Sequence, residues 1–168
     1  MNRKFGLERH ETNVEEMLAR YARRAEAVRP WIEPDDVVLD LGCGRQVFRE
    51  VIKPAGYIGC DLLVHADNVI RDLDTVEDLS FAGAATVVVL LGVLVWLEDP
   101  GRLLDVVARH RFPRIILSAP LDRIDGHADQ LASRGYARGR RTSIPGTPTH
   151  LVELRLSDRG LDPSAARA

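Results

Sequence analysis

Apolar positions along this chain recur at two different periods. Val14, Met17, Leu18, Tyr21, Ala22, Ala25 and Val28 follow helical spacing, with charged residues on the opposite face. Thr12 and Glu15 form a capping box ahead of that stripe, and Pro30 and Pro34 close it. The pattern then changes. Val37 to Leu41 is a short apolar, β-branched run, which predicts a buried strand. Tyr57 to Asp61 and Thr86 to Leu91 read the same way, and Arg114 to Ala119 fits a further strand. Gln46 to Lys53 reads as a helix start. Asp99 and Pro100 open another helix, with Leu103, Leu104 and Val107 facing inward and Arg109 and Arg111 at the C-terminal end, where cations are favoured. Asp125 to Arg134 predicts a short helix ended by Gly135.

The last third breaks the alternation of strand and helix. Tyr136 to Ile144 and Thr149 to Leu156 read as strands joined by the turn Pro145-Gly146-Thr147-Pro148. So short a link forces an antiparallel pair. The chain thus reads as an α/β protein whose parallel sheet ends in an antiparallel hairpin.

Chemistry concentrates where the first strand ends. Asp40-Leu41-Gly42-Cys43-Gly44-Arg45-Gln46 places an acid directly before a glycine-rich turn. Gly42 and Gly44 let the backbone turn tightly and let a ligand approach it. Strand, glycine loop and helix make a nucleotide-type site. The dinucleotide fingerprint G-x-G-x-x-G fails here, because residue 47 is Val47. Asp61 ends the second strand 21 residues past Asp40, near the step expected for a carboxylate that grips ribose hydroxyls.

Asp40 to Gly44 resembles the first motif of the class I S-adenosylmethionine (SAM) dependent methyltransferases, acid-x-G-x-G-x-G. The family's third glycine falls at Gln46. Val69-Ile70-Arg71-Asp72-Leu73 resembles the family's third motif, and Gly92 to Pro100 its fourth, with Val95 and Trp96 replacing the usual Glu-His pair. The resemblance spans about residues 12 to 157. It implies a three-layer Rossmann-like methyltransferase fold. That fold has a mostly parallel seven-stranded sheet, order 3-2-1-4-5-7-6, with an antiparallel last strand. It also implies SAM as cofactor and methyl transfer by alignment of the two reactants. Gly42 and Gly44 would pass the cofactor's amino-acid part, and Asp40 would order that loop near the ammonium group. Asp61 would take the ribose hydroxyls. Asp72, with the backbone of Leu73, would meet adenine, and Leu91 and Gly92 would lie under the sulfonium.

Composition narrows the rest. With 168 residues, 45% apolar and 29% charged, the chain reads as one globular domain, 12–157, between a flexible segment 1–11 and a flexible tail 158–168. A net charge of −2 gives no general attraction to nucleic acid or to anionic membrane. No apolar run reaches the length of a membrane span, and no apolar stretch follows the charged N-terminus, so a cytoplasmic location is expected. Cys43 and Cys60 form no C-x-x-C and read as reduced core residues. His10, His65, His110, His127 and His150 have no ligand spacing, so no metal is expected.

The acceptor side is less defined. Tyr21 reads as a core tyrosine before a cofactor cover, His127 as an exposed helix-start residue before a general base, and Arg134, Arg138, Arg140 and Arg141 as a solvated strand face before a site for a phosphate-bearing or acidic substrate. Trp96 fits a substrate wall and plain packing equally. No catalytic base and no methyl acceptor can be named. With no inserted cap, the site is expected to be shallow, suiting a large substrate, an oligomer or a partner protein that covers it. Two other readings stay open: a non-catalytic binding module on this fold, and an NAD(P)-dependent oxidoreductase.

Overall fold

The computed structural model describes residues 14–62 and 69–157. The capping residue Thr12, the segments 1–11 and 158–168, and His10 and His65 lie outside them. In chain order the elements are α1 (Val14–Val28), β1 (Val37–Leu41), α2 (Val47–Ile52), β2 (Gly56–Asp61), β3 (Val69–Ile70), β4 (Val87–Leu91), α3 (Pro100–Arg109), β5 (Arg114–Pro120), α4 (Leu121–Ala132), β6 (Tyr136–Ser143) and β7 (Thr149–Leu156). Single 3-10 turns occupy Arg29–Trp31 and Ser80–Ala82.

The seven strands form one sheet in the order β3-β2-β1-β4-β5-β7-β6. Pairing is parallel from β3 through β5, and β7 runs antiparallel to both β5 and β6. The expected fold class, order and hairpin are all present. Strands buried on both faces need apolar residues at every position. In β1, β4 and β5 Val38, Leu39, Val87, Val88, Leu90, Ile115, Ile116 and Leu117 are all fully buried, with Asp40, Arg114 and Ser118 as the buried polar exceptions. Their alternation feeds two cores. Leu39, Leu41, Val88, Leu90, Ile115 and Leu117 pack with α3 and α4. Val38, Val87, Val89 and Ile116 pack with Ala25 and Val28 of α1 and Phe48 of α2. Each fully buried side chain of this size contributes about 1.5–3 kcal/mol.

Two helix starts differ from expectation. The helix α4 starts at Leu121, four positions ahead of the expected Asp125, because Pro120 serves as its N-cap and Ile124 already sits in the core. Helix α2 is only six residues long and begins after Gln46, not at it. By contrast α3 begins as expected: Asp99 is its N-cap, and its carboxylate accepts from the Arg102 N–H at 3.1 Å. Cys43 and Cys60 are buried and unbridged. Burial raises both thiol pKa values, that of Cys60 to about 12.

A buried ion network ties the far end of the sheet to α1. Arg114, first residue of β5, donates from Nη1 to Asp36 Oδ2 at 2.9 Å and from Nε to Glu153 Oε1 at 3.1 Å. Its Nη2 donates to the carbonyl of Trp31, in the turn that follows α1. Arg140 of β6 grips Glu153 with two hydrogen bonds of 2.9 Å and stacks over Trp31 at 5.3 Å. Burial works to raise the pKa of Glu153. Hydrogen bonds from Arg140 and Arg155 more than offset that and hold it at about 2. Through this network the end of α1 is fixed to β1, β5, β6 and β7.

Candidate functional site

The C-terminal ends of β1, β2 and β4 meet at the glycine loop. In an open α/β sheet, that edge is where ligands bind. Gly42 adopts φ +81, and its N–H donates to Cys60 O at 2.8 Å, carrying the backbone from β1 across to β2. A methyl group added at Gly42 would collide with Val93, so the loop and the end of β4 are in contact. Gly44, at φ +50, has open space where a side chain would start. Its N–H donates to Asp61 Oδ2 at 2.8 Å. Asp61 therefore has a structural task beside any ligand: it fixes the tip of the loop.

Gln46 shows how the missing glycine is tolerated. It keeps φ 56 and ψ 28, the left-handed conformation that glycine adopts most readily. Its N–H donates to Cys43 O at 2.8 Å, and its Oε1 accepts from Arg49 Nη1 at 3.2 Å. The loop keeps its turn although the residue changed. Left-handed backbone costs a non-glycine residue roughly 1–2 kcal/mol.

Asp40 lies under the loop and is buried. Tyr57 Oη donates to its Oδ2 at 2.7 Å, and the Arg49 guanidinium sits 5.7 Å from the Tyr57 ring centre. Burial raises the Asp40 pKa to about 7; nearby Asp61 adds to the rise and the Tyr57 hydrogen bond opposes it. A buried carboxylate at this place favours a ligand cation, since a cation would relieve the cost of its own burial. The tyrosine went unnoticed in the sequence because it reads there only as a strand residue.

At the end of β4, Leu91 is half-buried and Gly92 adopts φ +81. A methyl group at Gly92 would run into the guanidinium of Arg24, whose Cζ would lie 2.8 Å away. Arg24 thus reaches from α1 over the strand end. In the sequence it belongs to the charged face of the helix, so nothing singled it out. Ser118 of β5, in register with Leu91, has a fully buried hydroxyl with no hydrogen-bond partner among the described residues.

Asp72 and Leu73 follow β3. Leu73 is buried, and Asp72 Oδ1 accepts from the Asp74 N–H at 3.1 Å, closing a turn. Asp74 in turn accepts from the Glu98 N–H at 2.8 Å, joining this turn to the loop after β4. On the acceptor side, Trp96 is 50% exposed. Tyr21 is half-buried beneath Arg24, its ring centre 5.8 Å from the guanidinium carbon, and is not a core residue. His127 is half-buried on α4, not exposed, and burial with nearby Arg123 lowers its pKa. The basic run is spoken for: Arg138 and Arg141 pair with Asp125 at 2.9 and 2.8 Å, Arg134 with Asp105, and Arg140 with Glu153. A polar cleft between α3 and α4 is lined by Glu77, Arg102, Asp105 and Arg134, whose charges pair with one another.

The sheet order with its antiparallel β7, and a glycine loop after β1 at the carboxyl edge, decide the fold. This is the class I methyltransferase fold. No family model and no curated protein matches the sequence. Solved structures do. The 1,6-didemethyltoxoflavin-N1-methyltransferase of Burkholderia thailandensis, with S-adenosylhomocysteine bound, superposes at TM-score 0.70 and 13% identity over 93% of this chain and 87% of that one. The magnesium protoporphyrin IX methyltransferase of Synechocystis, with SAM bound, gives 0.68 and 18% over 87% and 85%. A methyltransferase of Haloferax volcanii described as putative, in complex with the Trm112 activator, gives 0.64 and 13% over 85% and 93%. At these identities the likeness establishes the methyltransferase fold, and the site must be argued from its own residues.

Proposed function

We propose that this chain binds S-adenosylmethionine and transfers its methyl group to an acceptor. The observation that carries the reading is the meeting of Asp40, Asp61, Gly42, Gly44 and Gly92 at one edge of a sheet with this strand order. The residues present fit the cofactor. Asp40 offers a buried carboxylate to an ammonium group. Asp61, at the end of β2, suits a ribose diol. On this reading Asp72 and Leu73 would meet adenine, and Leu91 and Gly92 would lie under the sulfonium. The bound neighbours, one with SAM and one with its product, support the same cofactor.

When bound, the cofactor supplies a methyl group already activated by its sulfonium. The chain's own part is to hold, orient and exclude water. Gly42 and Gly92 make room for Val93 and Arg24, Gly44 leaves open space above the loop, and the Gly44–Asp61 hydrogen bond keeps the loop in place. No metal takes part in this proposal, and the protein is placed in the cytoplasm. A large substrate, a second copy or a partner protein would cover the open edge, as the Trm112 complex of one neighbour illustrates for that protein.

Calorimetric titration with SAM, S-adenosylhomocysteine and NAD tests this. Micromolar binding of the first two, lost in Asp61→Ala, is expected. Tight NAD binding without a response to SAM would overturn the reading. SAM binding with no methyl transfer to any of a broad acceptor panel would leave a binding module on an enzyme fold.

A further inference from the structure

We propose that Arg24 is the carboxylate-holding residue of this site. The proposal rests on the cofactor reading above and adds a residue outside every motif. Three observations carry it. Arg24 is half-buried, and its guanidinium makes no hydrogen bond or ion pair among the described residues. Its contact is with the Tyr21 ring, at 5.8 Å. It stands directly over Gly92, whose lack of a side chain makes the room. The other described arginines that reach inward are paired, Arg114 with Asp36 and Glu153, and Arg140 with Glu153.

A guanidinium withdrawn from water without a carboxylate is costly, and here burial lowers its pKa. An anion arriving at Gly92 would remove that cost and accept a charge-assisted, two-pronged hydrogen bond. Asp40 lies two residues before Gly42, on the strand beside β4. Gly42 touches Val93, next to Gly92. A carboxylate and a guanidinium therefore flank one pair of glycines on adjacent strands, about 4.8 Å apart. That arrangement is complementary to an α-amino acid, with its ammonium toward Asp40 and its carboxylate toward Arg24. The unpartnered hydroxyl of Ser118, in register with Leu91, supplies a further polar group behind the same strand end.

The carboxylate has two sources: the methionine part of the cofactor, or the acceptor. Calorimetry separates them. In the first arm, S-adenosylhomocysteine is titrated against its decarboxylated analogue, which keeps the ammonium. The wild type is expected to prefer the carboxylate form about 10- to 100-fold. Arg24→Gln is expected to lose that preference while binding the decarboxylated analogue unchanged, and Arg24→Lys to keep part of it. In the second arm, the product-loaded protein is titrated with benzoate. Equal binding of both analogues by the wild type, with benzoate bound by wild type and not by Arg24→Gln, assigns the carboxylate to the acceptor.

A preference that survives in Arg24→Gln, or no Arg24-dependent carboxylate effect in either arm, overturns the proposal and leaves the cofactor reading intact. Failure of the wild type to bind either analogue overturns both. Melting curves of the two variants show whether α1 still docks, and Arg24→Lys keeps the test valid if Arg24→Gln unfolds.

Discussion

The phenol of Tyr57 donates to the carboxylate of Asp40 at 2.7 Å, beneath the glycine loop. One residue comes from β2 and the other from β1, so the bond joins the two strands that frame the loop. It also limits how far burial raises the pKa of this acid. Tyr57→Phe removes that opposition. The Asp40 pKa is then expected to rise above its present value of about 7. If cofactor affinity requires the ionised acid, the pH midpoint of SAM binding should move up by about one unit. An unmoved midpoint, read by titration across pH 6 to 9, would separate Asp40 from the ammonium group.

Asp40 makes a second prediction, about stability. In the fold it holds a proton up to about pH 7, whereas the unfolded chain releases it near the ordinary aspartate value of about 3.9. The folded state therefore binds more protons across that window. Stability from this group is full below the unfolded value and is lost as pH rises through the folded one. Between pH 5 and pH 8 the loss is about 2–3 kcal/mol. Asp40→Asn should match the wild type near pH 3, below the unfolded value, melt higher by pH 5 and higher still at pH 8, and bind SAM more weakly. Equal melting temperatures at pH 8 would show that Asp40 is already ionised without cost.

The loop predicts opposite outcomes at two neighbouring positions. Gly42→Ala combines a left-handed backbone with a collision against Val93 and should cost at least 2 kcal/mol, a rough figure from the two penalties together. Gln46→Gly keeps the same left-handed turn without a side chain and should fold normally, whereas Gln46→Val should lose about 1–2 kcal/mol. Urea melts of the three variants give the comparison.

Arg114 pairs with two buried carboxylates, Asp36 and Glu153, and Glu153 also pairs with Arg140 and Arg155. Arg114→Leu leaves Asp36 and Glu153 buried with less compensation and should cost about 3–5 kcal/mol. The loss should be smaller in the double variant Arg114→Leu/Glu153→Leu, which removes one of the stranded charges. A double variant no more stable than the single would show that Arg140 alone satisfies Glu153.

The hairpin arginines should be silent at the site. Arg138 and Arg141 both pair with Asp125 of α4, away from the glycine loop. Replacing both with Gln should leave S-adenosylhomocysteine affinity unchanged. A tenfold loss would place a ligand on the hairpin.

The hairpin was legible because a four-residue turn cannot connect parallel strands, and the buried strands because their apolar runs were continuous; the sheet order came only with the resemblance carried by the glycine loop. The loop was legible because an acid and two glycines at fixed spacing have few other uses. The start of α4 was not, since Pro120 ends a strand and caps a helix at once and Gly126 weakens the helical pattern around it. Arg24 was hidden for a different reason. On an amphipathic helix an arginine beside solvent and an arginine beside a ligand occupy nearly the same angle. Only the missing side chain at Gly92, 68 positions later in the chain, separates them. Gln46 read as a departure from the motif, and its backbone shows that the conformation persisted where the residue did not.

The strand β7 lies between β5 and β6, although it follows both in the chain. During synthesis, β5 therefore waits with an open edge until residues 149–156 have left the ribosome. Arg114 can already pair with Asp36, but its network stays incomplete until then, because Glu153 belongs to β7. The docking of α1, which precedes all seven strands, is completed by the strand made after the other six. Such long-range closure favours slow, late and all-or-none folding. A nascent chain held short of β7 exposes a bare, apolar strand edge and is a natural client for a chaperone.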